Sequence, residues 1–255
     1  MQKLLSLVRA AVDKYNMIED GDNIAVGVSG GKDSLVLVSA LARLRRFYPK
    51  KFDIQAISID LFDGKSDYSK VKEFMQELGV NYYIVPTNIY SVIFEERKEK
   101  SPCSLCSKMR RGALNTKAME LGCNKLALGH HADDIMETFL LSLIYEGRLS
   151  VFHPVSFMSN TGLTVIRPLV LAPERLISNV AKTMPVFFNC CPANHKTQRE
   201  YMKNLLSNLE KDIPFIKDRV LGAIINTDRY NMLDKMNEKN TASKNEHNSQ
   251  NPPQK

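Results

Sequence analysis

Three short stretches of the chain carry residues whose types and spacing suit chemistry. Residues 26–38, VGVSGGKDSLVLV, read as a buried strand, a glycine turn and the start of a helix. A strand ending in Ser29-Gly30-Gly31 and followed at once by a helix points consecutive backbone N–H groups into one concavity. The helix N-terminus adds roughly half a positive charge there. Gly30 and Gly31 admit positive φ and put no side chain in the way of a phosphate. Lys32 adds a full charge, and Ser29 and Ser34 supply hydroxyl donors. Asp33 does not favour a bare phosphate, so its expected task is a helix cap or a contact to magnesium. The alternative is a tight bend with an incidental lysine, but six residues of compatible chemistry in this order favour an anion site. The spacing is neither G-x-x-x-x-G-K-[ST] nor G-x-G-x-x-G.

The second stretch, GHHADDIMET (129–138), is a Gly129-His130 turn entering a helix with Asp133, Asp134 and Glu137 in its first turns. A helix cap accounts for one of these acids. Two adjacent carboxylates beside a phosphate site further suit magnesium or the orientation of a reaction. The third stretch, PCSLCSKMRRGAL (102–114), sets Cys103 and Cys106 just before a basic helix. By itself Cys-x-x-Cys suits zinc, a redox pair or an iron–sulfur site, and the surroundings are not thioredoxin-like. Two thiolates need a further ligand, which Cys190 or Cys191 can provide if the C-terminal part folds back. Cys123 reads as a small buried side chain.

The elements that position these groups follow from periodicity. Apolar runs at 23–29, 53–61, 81–86, 124–131 and 164–169 alternate with helical patterns at 34–47, 70–79, 107–122 and 132–147. That alternation predicts an α/β fold, a mostly parallel, doubly wound sheet with helices on both faces. The second run ends in Asp60, at the carboxyl edge where such sheets bind ligands. Past residue 170 the pattern turns helical: 172–184, an irregular 187–198, then one helix over 199–224. The chain thus divides into an amphipathic N-terminal helix (1–20), an α/β domain (21–170), a helical C-terminal extension (171–235) and a polar tail (236–255) expected to be disordered.

Of 255 residues, 44% are hydrophobic and 25% charged, ordinary for a globular protein, and no apolar run approaches a membrane span. With no secretion signal in the first residues, the expected compartment is cytoplasmic. The odd count of five cysteines argues against a disulfide framework. Net charge is +7, gathered at Arg43, Arg45, Arg46, Lys50 and Lys51 and again at Lys108, Arg110, Arg111 and Lys117. Such clusters attract polyanions, RNA above all, although solvated helices are the plainer account.

SGGKDS resembles the signature of the PP-loop ATP pyrophosphatases, an adenine nucleotide alpha hydrolase-like fold in which the loop holds the ATP pyrophosphate and cleavage falls between the α and β phosphates. SGGKDS, CSLCSKMRR, GHHADD and a cysteine ahead of the Gln198-Arg199 helix, in that order over roughly residues 20–215, resemble the tRNA 2-thiocytidine synthetases of the TtcA type. The resemblance implies binding of ATP and Mg2+ by Ser29, Gly30, Gly31, Lys32, Asp33, Ser34, Asp60, Gly129, His130 and Asp134. It implies catalytic roles for Lys32, Arg110 and Asp133. It also implies a [4Fe–4S] cluster on Cys103, Cys106 and Cys191, with Cys190 as the alternative third ligand, and one iron left open to carry sulfur. The family's downstream motif is Cys-x-x-Cys; here, counting back from Gln198-Arg199 puts its cysteines at Phe188 and Cys191, and counting forward from Pro185 puts the first nearer Asn189 or Cys190, as if one residue were deleted. The implied partners are tRNA, a sulfur donor such as a cysteine desulfurase, and a second copy in a homodimer. The rival readings are the same adenylation on another tRNA base or a small metabolite, and a non-catalytic ATP- and metal-binding regulator. A lysidine synthetase fits the two loops and leaves the cysteines unexplained.

Overall fold

A strand that is apolar on both sides is stable only between two layers of helix. In the computed structural model, which describes residues 1–97, 102–187 and 198–227, the strands take that place. The chain runs α1 (Gln2–Lys14), β1 (Asp22–Gly27), α2 (Lys32–Leu44), β2 (Phe52–Asp60), α3 (Ser69–Glu77) and β3 (Asn81–Pro86). It continues through α4 (Pro102–Glu120), β4 (Lys125–Ala127), α5 (Ala132–Glu146), β5 (Val155–Phe157), β6 (Thr164–Ile166), α6 (Glu174–Ala181), α7 (Gln198–Asp212) and α8 (Ile216–Ile225). The six strands lie in the order β3-β2-β1-β4-β6-β5, all parallel except β5, which pairs antiparallel with β6.

Alternation along the strands feeds two cores. Ile24, Val26, Ile54, Ala56 and Ile166 face one, shared with α1, α2 and α6; Ala25, Ile57, Ile59, Leu126 and Val165 face the other, under α4. Helix α2 is buried around most of its circumference because α1, through Leu4, Val8, Ala11 and Val12, and α6, through Ile177, cover what the sheet leaves open. The N-terminal helix is therefore part of the main core. At the foot of β1, the carboxylate of buried Asp22 meets buried Lys125 Nζ at 2.7 Å, and Lys125 also donates to Met17 O.

Four local features depart from the periodicity. Helix α4 starts at Pro102 rather than 107, because proline is pre-shaped for a first helical position, and this puts Cys103 and Cys106 within its first two turns. Strand β5 is too short to show a period. A π-helical turn, Ser91–Glu96, precedes α4. The single C-terminal helix expected over 199–224 is two, since Pro214 has no N–H to give and Phe215 turns the chain at φ 64°. Among the described residues no helix is long and apolar enough to cross a membrane.

Strands β2 and β4 lie on opposite sides of β1, so the strand order switches there and a crevice opens at the carboxyl ends of β1 and β4. The 28–31 turn and the 128–131 turn both leave from that point. The first basic cluster does not: Arg43 closes α2, and Lys50 and Lys51 precede β2, at the opposite edge of the sheet. Arg45 there donates to Gly79 O and Lys50 to Ile18 O.

Candidate active site

The turn after β1 is built as an anion cradle and braced from within. Gly30 takes φ +81°, and a Cβ there would lie 3.1 Å from the Phe187 ring, so two separate constraints call for glycine. Gly31 has φ −73°, an ordinary value, so only Gly30 uses the left-handed region. The Ser34 hydroxyl donates to Gly31 O (2.8 Å) and accepts from Ser29 N–H (3.2 Å), while Gly31 N–H donates to Ser29 Oγ (3.3 Å). The serines thus act first as struts that hold the loop shape. The first-turn amides of α2, which have no intrahelical acceptor, point out of the loop beside them.

The turn after β4 closes against this loop. A Cβ on Gly129 would sit 3.2 Å from the Asp33 carbonyl carbon, so this glycine permits the two turns to touch. His131 caps α5: its Nδ1 accepts from Asp134 N–H while the Asp134 carboxylate accepts from His131 N–H, a reciprocal capping box. Its Nε2 lies 3.7 Å from Asp33 Oδ1. His130 stands on the other side, with Nδ1 accepting from Arg167 Nε at 3.2 Å. Burial, and after it the Arg167 charge, push His130 down to about 4, so the ring is neutral at pH 7.

Helix α4 forms the third wall. Cys103, Cys106, Arg110 and Leu114 recur at spacings of three and four, one stripe of the helix. This stripe, the Ser29–Ser34 loop and the Gly129-His130 turn line one cavity of about 550 Å3. Asp33, Asp134 and Arg111 also reach it, as does Phe94 from the π-helical turn.

Three expected residues are already held by other groups of the protein. Asp60 sits at the carboxyl edge as the strand pattern required, but it is fully buried and its carboxylate accepts from Phe62 N–H, Gly64 N–H and the Ser66 hydroxyl. It shapes the loop after β2 and is not a wall of the cavity. Asp133 faces away from the cavity: Oδ2 accepts from Glu174 N–H (2.7 Å), closing the start of α6, and Oδ1 lies 3.4 Å from Lys217 Nζ. The reason is helical geometry, since neighbours 133 and 134 point about 100° apart and only Asp134 meets the cleft. Lys32 Nζ is 2.9 Å from Asp33 Oδ1 and 3.1 Å from Glu174 Oε1. Burial works to lower its pKa, and the two carboxylates outweigh it and raise it.

Cys190 and Cys191 lie outside the described residues. The flanking chain is at the cleft: Phe187 N–H donates to Gly30 O (2.9 Å), and Arg199 reaches Asp134 Oδ1 and Glu137 Oε2 at 3.4 and 3.2 Å. Among the described residues no group of three or more His, Cys, Asp and Glu side chains could hold a metal ion. Cys123 is buried, its thiol pushed up to about 11 by that burial.

Sequence reasoning passed over Glu174, Arg167 and Arg199 as site residues. Glu174 is held down at about 2: burial works against this, and hydrogen bonds from Lys203 and Lys32 prevail. Nothing in its local pattern marked it. Arg167 had a signal, a charge interrupting an apolar strand run at the sheet's carboxyl edge.

Residues 4–209 match the PP-loop domain, and the chain belongs to that family. It is 42% identical over 241 residues to the tRNA-cytidine(32) 2-sulfurtransferase of Geobacter metallireducens, covering 92% of this chain and 93% of that one. It is 40% identical over 240 residues to the protein of the same name from Citrifermentans bemidjiense, covering 91% and 93%. Its fold resembles that of the U34-tRNA thiolase NcsA from Methanococcus maripaludis, solved with its [4Fe-4S] cluster, at a TM-score of 0.70 and 24% identity over 90% of this chain and 79% of that one.

Proposed function

We propose that the protein is an ATP-dependent tRNA sulfurtransferase that replaces the 2-oxo group of a cytidine, position 32 by its relatives' names, with sulfur. The observation that carries this reading is that one cavity is walled by both the Ser29–Ser34 loop and the Cys103–Cys106 pair. An activated carbon and a sulfur source can meet only where such a wall is shared.

In the first step the base oxygen attacks the α-phosphorus of ATP, and pyrophosphate leaves with the bonding pair. The amides of the loop and of the first α2 turn receive the β and γ phosphates. Lys32 joins them by exchanging Glu174 for a phosphate oxygen. Asp33 and Asp134, which both line the cavity, would hold Mg2+, which neutralises phosphate charge. In the second step a sulfur nucleophile adds at C2 and AMP departs with the former base oxygen. Arg110 and Arg111, one helical turn and more beyond Cys106, stabilise the negative charge that develops. Cys103 and Cys106, with a third thiolate from Cys191 or Cys190, would hold a [4Fe–4S] cluster, which when bound offers an iron position open to sulfur. The donor set fits that group: two thiols share one helical face, and the chain bearing the other two enters beside Gly30 and leaves beside Asp134. A reading as cytoplasmic enzyme, a cysteine desulfurase as donor and a homodimer belong to the same proposal.

The test is anaerobic incubation of the protein with tRNA, ATP, magnesium and sulfide. Thionucleoside, AMP and pyrophosphate are expected together; AMP without dependence on tRNA would move the reading to another acceptor, and loss of all three would remove it. The visible spectrum of freshly isolated protein separates iron–sulfur from zinc.

A further inference from the structure

Arg167 leaves β6 just where the GHH turn crosses it, and its guanidinium is committed on three sides. Nη1 donates to His153 O (2.6 Å) and reaches Ser156 Oγ (3.4 Å), which fixes the head against the β5 hairpin. The guanidinium carbon lies 5.0 Å from the centre of the Phe152 ring, and the same ring packs against His130 with centroids 5.0 Å apart. Nε then donates to His130 Nδ1 at 3.2 Å. An arginine cannot accept, so the imidazole nitrogen facing it must carry a lone pair. The proton of the neutral ring is thereby assigned to Nε2, which has no partner among the described residues, and the ring lines the cavity.

We propose that Arg167 is a positioning residue: with Phe152 it holds His130 in the Nε2–H tautomer, so that this point of the cavity offers a hydrogen-bond donor and never an acceptor. The group suited to it is an anionic oxygen, and in the adenylating reaction that means an oxygen of the group being transferred. Only that last identification rests on the proposed function. Among the described residues, the charged and titratable groups around the ring are Arg167, Asp134, Arg199 and His131. Of these, only Arg167 donates a hydrogen bond to it.

Two measurements test this. In ligand-free protein labelled with 15N at histidine, the His130 nitrogens, assigned by their loss in His130→Gln, should show the widely separated shifts of a single Nε2–H tautomer. Arg167→Met should bring the two shifts towards each other. Arg167→Lys keeps the charge and can still reach the His153 carbonyl, so it carries the test if the methionine variant is poorly folded by near-ultraviolet circular dichroism; it too should narrow the separation. The second measurement is a double-mutant cycle on AMP formation. Gln places an amide N–H where Nε2–H stands and has no tautomer to choose. Arg167 substitution should therefore lower kcat roughly tenfold in the native background and change it less than about twofold in His130→Gln, with the KM for ATP little altered. Unchanged nitrogen shifts in a folded Arg167 variant overturn the proposal, as do losses that multiply independently in the two backgrounds. Because the shifts are read without substrate, they stand even if the reaction assigned to the cavity is a different one.

Discussion

At the scale of single residues, chemically similar neighbours have opposite tasks here. Gly30 and Gly31 are adjacent, yet only Gly30 combines a positive φ with a ring against its Cα. Gly30→Ala should therefore cost about 1–2 kcal/mol of stability from backbone strain alone, with the Phe187 clash in addition. Gly31→Ala should stay within about 0.5 kcal/mol in thermal denaturation, any loss of AMP release then being due to the methyl in the phosphate path. Asp133 and Asp134 divide in the same way. Asp133→Asn should lower stability by about 1–2 kcal/mol, since it weakens the charged cap of α6 and the Lys217 pair. Its AMP formation should change little, whereas Asp134→Asn should depress it. Which neighbour faces the cleft was not legible in the string GHHADD, because composition places two acids at the helix start and only the helix's rotation separates them.

At the scale of elements, α4 does the joining. Its stripe from Cys103 to Leu114 brings thiols and a guanidinium to the same wall, and it could do so only because the helix begins at Pro102. The two basic clusters, which look equivalent as sequence, are separated by the length of the sheet. Nine residues of β2 put roughly 25–30 Å between Lys51 and the cleft edge. Arg111→Glu should thus raise the KM for tRNA strongly, and more so at low salt, while Arg46→Glu should leave it within about twofold in the same thiolation assay. At the foot of β1 and β4 the buried Asp22–Lys125 pair serves the fold alone. Lys125→Met should cost about 3–5 kcal/mol in chemical denaturation by leaving the buried Asp22 carboxylate without its cation, held only by the Glu19 N–H and the Asn124 amide among the described residues, and Asp22→Asn added to it should recover part of that loss.

At the scale of the whole molecule, the C-terminal helices are tied to the nucleotide loop by ions. Glu174 bridges Lys32 and Lys203, and Arg199 spans Asp134 and Glu137. Acid should loosen these parts in a fixed order. His130 titrates at about 4 when folded against 6.5 when unfolded, so the unfolded chain takes up the proton first and stability falls as pH drops from 6.5 towards 4. Glu174, at about 2 against 4.5, contributes stability that is complete above 4.5 and is lost as pH falls towards 2. Denaturation midpoints followed against pH should show both windows; His130→Gln should flatten the upper one and Glu174→Gln the lower.

By itself the sequence determined the layer order, the strands and helices around the glycine turn, the three motifs and the class of reaction they suit. These rest on local quantities: hydrophobic period, turn residues and spacing along a few residues. It also placed Ser29, Asp33, Ser34, Gly129, His130, Arg110 and the first two cysteines as neighbours-to-be, and all of these line one cavity. Only the tertiary structure decided that Asp60 and Asp133 hold loops and helix ends, that Lys32 shares its charge with Glu174, and that Arg167 governs His130. Asp60 aside, whose partners lie within six positions, each of those outcomes depends on a partner between 37 and 142 positions away, or on which side of a helix a carboxylate faces. Side-chain direction and long-range pairing are set by how the layers stack, and no window of the chain contains that information.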